Sequence, residues 1–167
     1  MPEKNWRPLA IRTAGGRGNR PVAGRMYGHP PAVGGGWFAA GAVFGALGVA
    51  AGAYGSHALS PPAAVLFEIG VRYHLIHALA LLGVGYAAQQ WPGRSPGLAG
   101  WLFLIGIGLF SGSLYLRALT DGAGIPGAPP IGGLSLMAGW AVLALAPFRA
   151  GRRDSIATRV RPNRRRP

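Results

Sequence analysis

The stretch EIGVRYHLIHALALL, residues 68–82, contains a glutamate, an arginine and two histidines inside a long apolar run. A run of about 20 apolar residues is long enough to cross a bilayer as a helix. Ionisable side chains are costly within a membrane, so Glu68, Arg72, His74 and His77 are expected to have either a structural partner or a functional role. The placement of these four residues therefore bears on both the fold and the site.

Outside this stretch, charge is distributed unevenly along the 167 residues. Half of the residues are hydrophobic and 13% are charged, against about 25% charged in a typical soluble domain. Six Lys or Arg lie in residues 1–34 and eight in residues 149–167, with only Arg72, Arg94 and Arg117 between them. An apolar middle between two basic tails is typical of a membrane protein whose tails set its orientation.

Composition also excludes several classes of function. The chain has no cysteine, so it has no disulfide, thiolate metal site or thiol catalysis. Its basic tails lack aromatic side chains interleaved with the arginines, as a stacking surface for nucleic acid would need, so nucleic acid is not expected as a partner. The expected partner is the lipid bilayer.

The apolar middle divides into four segments separated by Gly/Pro-rich turns. The sequence predicts an all-α integral membrane four-helix bundle in one domain, residues 35–148, with helices at about 36–58, 65–88, 97–119 and 131–148. A soluble bundle would need a polar face on each helix, which these segments lack. Residues 1–34 and 149–167 are predicted to be a disordered basic leader and a disordered basic tail, because their composition cannot bury enough apolar surface.

The basic residues predict the orientation of this bundle. Residues 59–64 and 120–130 contain no Lys or Arg, whereas the turn between the second and third segments contains Arg94. Positive charge accumulates on the cytoplasmic side of membrane proteins, so both termini are predicted to be cytoplasmic. The expected location is a bacterial cytoplasmic (inner) membrane.

A stripe of glycines follows one side of the first segment. At 100° per residue its members fall within an arc of about 80°. Small residues let membrane helices approach closely, so this stripe is interpreted as a packing face that also offers self-association as a homo-oligomer. The members are Gly41, Gly45, Gly48, Gly52 and Gly55.

The polar residues of the second segment lie on two sides of the helix. Glu68 and Arg72 are spaced i, i+4, about 40° apart, in the order that favours an ion pair. His77 is about 180° from Glu68, and His74 lies on the same general side as His77. The predicted topology brings the ion pair to the outer end, in a candidate polar cluster of His57, Glu68, Arg72, Arg117 and Asp121.

Several short motifs resemble domain-of-unknown-function family 423, a family of small multi-pass membrane proteins of bacteria with an animal transmembrane relative. The motifs are GAYGSHAL (residues 52–59), RYHLIH (72–77), GSLYL (112–116), PIGG (130–133) and GW (139–140). The chain differs at Tyr54, Ser56 and Ala58, where the family usually has Phe, Ala and Gly. The resemblance implies a four-helix integral membrane protein and implies no activity.

Three functions are compatible with these observations. The leading hypothesis is a structural or interaction component of the membrane, in which the charged pair and the histidines tie helices together. An alternative is a small transporter or ion- or proton-conducting protein with a polar site near the outer face. A second alternative is a cofactor-binding membrane protein that uses His74 and His77. No catalytic motif is present, and neither a metal nor a cofactor is expected.

Overall fold

The computed structural model describes residues 34–120 and 122–151, and the regular elements among them are helical. The elements are α1 (Gly35–Ala58), α2 (Pro61–Gln90), α3 (Arg94–Gly106), a π-helical turn (Ile107–Ser111), α4 (Gly112–Leu119) and α5 (Ala128–Ala144). Most of the two predicted tails, residues 1–33 and 152–167, lies outside the described residues, as does Asp121.

Three helical spans are long and apolar enough to cross a membrane: Gly35–Ala58, Pro61–Gln90 and Arg94–Leu119. The third of these comprises α3, the π-helical turn and α4. Helix α5 is apolar but shorter, with 17 residues. The described residues are therefore all-helical with three membrane-length apolar helices, which confirms the coarse fold prediction.

Two predicted boundaries are wrong for the same reason. The turn predicted over residues 59–64 is confined to Leu59 and Ser60, because α2 begins at Pro61. Likewise Pro129 and Pro130 belong to the first turn of α5 rather than to the preceding loop. Proline is favoured in a first helical turn, where its missing N–H would have no intrahelical partner. Residues 149–151 are helical rather than part of a disordered tail.

Helix α2 is the central element of the bundle. One side of it packs along α1, and another side packs against α3, the π-helical turn and α4, while α5 packs mainly on α3 and the π-helical turn. A buried cluster joins α2, α3, the π-helical turn and α5 through residues that include Leu81, Val84, Phe103, Ile107 and Leu136. A smaller cluster joins the start of α2 to α4 through Phe67, Val71 and Ala118.

Successive helices run antiparallel, so the start of one helix lies beside the end of another at each end of the bundle. Gly34, just before α1, lies against Gly85 near the end of α2. Arg149, after α5, lies within hydrogen-bonding distance of Ser95 in the first turn of α3. We call this the basic end; the opposite end contains the α1–α2 turn and the loop between α4 and α5.

The π-helical turn in the third span brings α5 unusually close. The Gly112 N–H bonds to the carbonyl of Ile107, five residues earlier, instead of four as in an α-helix. Gly132 of α5 lies directly over this turn, where an added Cβ would be 2.9 Å from the Leu109 carbonyl carbon and would also contact the Phe110 nitrogen. Only glycine therefore fits at this crossing without a backbone shift.

Candidate functional site: two buried histidines on the central helix

Both histidines of α2 are buried, with exposed fractions of 6% for His74 and 4% for His77. Three residues apart on a helix, their side chains point about 60° apart. Because α2 has neighbours on two sides, this separation directs the two rings toward different helices. His74 meets α1 and α4, and His77 meets α3 and α5.

The ring of His77 has a partner for each nitrogen. Its Nδ1 is 2.7 Å from the carbonyl oxygen of Tyr73, one turn earlier on α2. Its Nε2 is 3.2 Å from Nε1 of Trp140 on α5. An indole nitrogen can only donate, so Nε2 accepts and Nδ1–H donates to the carbonyl. This arrangement assigns one neutral tautomer to His77 and leaves neither nitrogen free.

Aromatic rings surround His77 on several sides. Its ring centroid lies 5.6 Å from that of Phe103 and 6.1 Å from that of Trp140. The ring of Tyr73 stacks nearly parallel to it, at an interplanar angle of 11°. Phe103 and Trp140 also meet edge to face at 5.2 Å. The hydrogen bond between α2 and α5 therefore lies within a packed aromatic layer.

Only one of the two ring nitrogens of His74 has a hydrogen-bond partner among the described residues. Its Nδ1 is 3.1 Å from the hydroxyl oxygen of Tyr115 on α4, and its ring packs against Phe44 of α1 at 5.6 Å. Within the described residues its Nε2 is buried without a hydrogen-bond partner. The hydroxyl of Ser111, the last residue of the π-helical turn, is also buried without a hydrogen-bond partner among the described residues. Two buried polar atoms, Nε2 of His74 and Oγ of Ser111, therefore have no partner among the described residues.

A metal-ion site would need more ligands than the two histidines provide. No group of three His, Asp or Glu side chains that could hold a metal occurs among the described residues. Both nitrogens of His77 are already hydrogen-bonded, so Nε2 of His74 is the one ring nitrogen of this pair that is open to bind a metal. The arrangement therefore favours a structural role over ligation by His74 and His77.

The charged side of α2 contains one ion pair. Arg72 Nη2 lies 3.0 Å from Glu68 Oε1, and both side chains are well exposed, at 65% and 70%. His57 and Arg117 are exposed near the same end of the bundle, and Asp121 lies outside the described residues. No hydrogen bond within residues 34–120 and 122–151 joins His57 or Arg117 to the ion pair.

Two cavities lie near these charged residues. One, of about 150 Å³, lies between α1 and α2 and is lined by Gly52, Gly55, Phe67 and Glu68. The other, of about 490 Å³, is an open cavity between Arg117 and the loop before α5. They have no lining residue in common: of the candidate polar cluster, Glu68 lines the first cavity and Arg117 lines the second.

Most glycines of the α1 stripe pack against α2 of the same chain. Gly41, Gly48 and Gly55 are buried against α2, and a Cβ at Gly41 would be 2.9 Å from the Ala78 carbonyl oxygen. A Cβ at Gly52 would meet Val71 at 3.3 Å, while one at Gly45 would meet nothing within 4 Å. Four of the five glycines thus shape the α1–α2 contact.

Sequence reasoning did not identify the partners of the histidines. Tyr115 lies 41 residues and Trp140 63 residues from the histidine that each contacts. A signal existed, because the polar atoms of Tyr and Trp side chains within a membrane helix cannot bond to water and usually find a protein partner. Both residues also belong to the family-like motifs, but neither was assigned to a histidine. Ser111 gave no sequence signal.

Comparisons with known proteins agree with the membrane fold. The family model described as "Protein of unknown function (DUF423)" matches residues 51–133. The UPF0382 membrane protein YwdK of Bacillus subtilis is 38% identical over 111 residues, covering 64% of this chain and 90% of the relative. The UPF0382 inner membrane protein YgdD of Escherichia coli K12 is 33% identical over 122 residues, covering 67% and 88%. No solved structure matches this chain.

Proposed function

This chain belongs to the DUF423 family of small bacterial membrane proteins, and on that premise we propose that it is a structural or interaction component of the cytoplasmic membrane. The proposed form is a bundle of four transmembrane helices whose polar residues tie the helices together. The observation that carries this proposal is the complete engagement of His77, whose Nε2 accepts from Trp140 of α5 and whose Nδ1–H donates to the Tyr73 carbonyl of its own helix. Both of these bonds hold the ring to the helices, and neither nitrogen is open to bind a metal or haem.

The fourth span in this proposal is α5 with its continuation. Seventeen residues of helix measure about 26 Å, less than the roughly 30 Å hydrocarbon core. The Leu145 N–H bonds to the Ala141 carbonyl, and the Arg149 N–H bonds to the Leu145 carbonyl. Helical hydrogen bonding thus continues past Ala144, and the apolar residues up to Phe148 complete a membrane-length span.

The proposed domain is residues 35–148, and the proposed orientation has both termini in the cytoplasm. The basic end of the bundle supports this orientation, because it contains Arg94 and Arg149 and because the described residues begin and end there, next in sequence to the Arg-rich termini. Reporter fusions after residue 60 and after residue 151 should lie on opposite sides of the membrane. Finding both on one side would contradict the four-span topology.

Other polar groups also support helices rather than a ligand. The Ser135 hydroxyl of α5 donates to the Leu102 carbonyl of α3 at 2.8 Å. Tyr115 joins α4 to His74 of α2. Hydrogen bonds between membrane helices typically contribute about 0.6 kcal/mol each, and up to about 2 kcal/mol. Several such bonds between different helices stabilise one arrangement of the bundle.

Self-association belongs to the same proposal. Gly108 and Gly112 of the third span, like Gly45 of α1, have open space where a Cβ would be. Glycines left uncovered within the chain are available for close approach by a helix of a second copy. Gly112→Ile should reduce any dimer measured by mass in detergent, whereas Gly48→Ile should instead disturb the α1–α2 contact.

A flux assay separates this proposal from the transporter alternative. The purified chain in proteoliposomes should carry protons, Na⁺ and K⁺ no faster than protein-free liposomes, across the pH range 5–8. Glu68→Gln and Arg117→Gln should leave this background unchanged. A flux that exceeds the background and disappears in Glu68→Gln would replace the structural proposal with the conducting one.

A further inference from the structure

Two arginines that are distant in the sequence line the same cavity at the basic end of the bundle. Arg94 is the first residue of α3, and Arg149 lies in the helical stretch that follows α5. The Nη1 group of Arg149 lies 3.4 Å from the Ser95 hydroxyl, to which it donates. The guanidinium of Arg149 is therefore held over the first turn of α3, beside Arg94.

A cavity of about 140 Å³ opens between these two segments. Arg94 and Arg149 both line it, together with Ser95 and Trp91. This volume is enough for a small polyatomic anion or for the head of a larger molecule. Trp91 is half-buried directly after the end of α2, and tryptophan is enriched where membrane helices end at the headgroup region.

The charged side chains that line this cavity within residues 34–120 and 122–151 are all positive. Arg94 and Arg149 each bring a guanidinium cation, and the N-terminus of α3, which no side chain caps, adds a partial positive charge. The only carboxylate among the described residues, Glu68, pairs with Arg72 near the opposite end. Two cations around one small cavity repel each other, so an anion between them would remove an unfavourable interaction.

The donors of the cavity match the oxygens of a phosphate group. Guanidinium groups donate paired N–H bonds to phosphate oxygens and bind them more specifically than an ammonium group does. The Ser95 hydroxyl adds a donor between the two arginines. The cavity lies where α2 ends and α3 begins, and the ends of helices long enough to cross a membrane reach the headgroup region of a bilayer.

We propose that Arg94, Ser95 and Arg149 form a binding site for a phosphate group at the basic end of the bundle. The phosphate belongs either to an anionic phospholipid headgroup or to free inorganic phosphate. In both cases the bound phosphate would link the start of α3 to the segment after α5 through hydrogen bonds. This site is separate from the buried histidines and does not depend on the structural role proposed for them.

Thermal unfolding of the full chain in dodecyl maltoside micelles tests the site, because a ligand of the native state raises the melting temperature. The probes are phosphatidylglycerol, phosphatidylcholine and inorganic phosphate, with sodium chloride at equal ionic strength as the reference. Stabilisation by phosphatidylglycerol but not by inorganic phosphate assigns a lipid headgroup. Stabilisation by both assigns the free anion as well. Stabilisation by neither, beyond the salt reference, overturns the proposal.

Variants locate the effect. Arg94→Gln and Arg149→Gln should each weaken the apparent affinity for the stabilising anion about tenfold, the loss expected for one charge-assisted hydrogen bond. Arg117→Gln, at the opposite end, removes the same charge elsewhere and should bind like the wild type. Equal weakening by all three variants would indicate unspecific attraction to the net positive charge and would overturn the site.

Discussion

His77 and His74 lie three residues apart on the same buried face of α2 and differ in how their polar atoms are satisfied. His77 is bonded through both nitrogens, to Trp140 of α5 and to the backbone of its own helix. His74 is bonded through Nδ1 to Tyr115, while its Nε2 has no partner among the described residues. A buried polar atom without a partner costs free energy that a satisfied one does not. The same residue type can therefore stabilise one helix contact and add little at the next.

The largest expected effect comes from Gly132, which sets how closely α5 approaches the third span. Gly132→Ala should reduce the free energy of unfolding by about 3 kcal/mol, because the new methyl group would overlap the backbone at Leu109 and Phe110. The substitution should also separate Trp140 of α5 from His77. The contact between His74 and Tyr115, which does not involve α5, should remain. SDS titration in mixed micelles measures the loss.

Gly133→Ala is the matched control for that change. A Cβ at Gly133 would meet only the Phe110 ring, at an ordinary 3.8 Å. Its cost should be near zero, and the better helix propensity of alanine could make it slightly stabilising. Equal losses for the two variants would show that α5 does not approach the π-helical turn as closely as described.

The next effect distinguishes the two histidines directly. His77→Phe should cost about 1.5 kcal/mol, because the Trp140 indole N–H loses its acceptor while the aromatic packing is retained. Ile76→Phe, at a neighbouring position that is 47% exposed, should stay within about 0.5 kcal/mol of the wild type. A cost of His77→Phe no larger than that of Ile76→Phe would mean that the bridge to α5 contributes nothing.

His74→Phe should cost less, about 0.5 kcal/mol. It removes the hydrogen bond to Tyr115, and it also removes the unsatisfied Nε2, so the two contributions partly cancel. In the double variant with Tyr115→Phe, both polar partners are absent, and the combined loss should be smaller than the sum of the single losses. A His74→Phe variant less stable than His77→Phe would reverse the comparison and imply a partner for Nε2.

The smallest effect is expected at Ser111. Its hydroxyl is buried without a partner in the described structure, so Ser111→Ala should be neutral or slightly stabilising. Ser135→Ala removes a hydroxyl bonded to the Leu102 carbonyl and should cost about 1 kcal/mol. A clear loss at Ser111, similar to that at Ser135, would indicate that its hydroxyl is satisfied in the membrane.

Much of this fold could be predicted because local patterns specify it. Apolar runs without charge predict membrane helices, since a bilayer requires every backbone polar group to be bonded within its own helix. The i, i+4 spacing of Glu68 and Arg72 brings the two charges together on any helix, and the structure has them at 3.0 Å. The same geometry separates the histidines from that pair. The membrane location follows from these local features and agrees with the relatives.

The site was less predictable because its contacts join distant residues. Nothing in the spacing of His77 points to Trp140, and nothing in the glycine stripe says that Gly41, Gly48 and Gly55 face α2 while Gly45 stays uncovered. The spacing of apolar residues in the π-helical turn does not distinguish it from an α-helix. The predicted turn at residues 59–64 was wrong because a proline pair is compatible both with ending one helix and with beginning the next.

The stretch from Glu68 to His77 shows this division within ten residues. Its sequence alone established a membrane helix with an ion pair on one side and two histidines on the other, since these features depend on helical geometry and on the cost of charge in lipid. Which histidine is fully bonded was decided by the packing of α4 and α5, because a hydrogen bond depends on where a second helix presents its donor. Periodicity sets the direction in which a side chain points, and tertiary contact sets what it meets there.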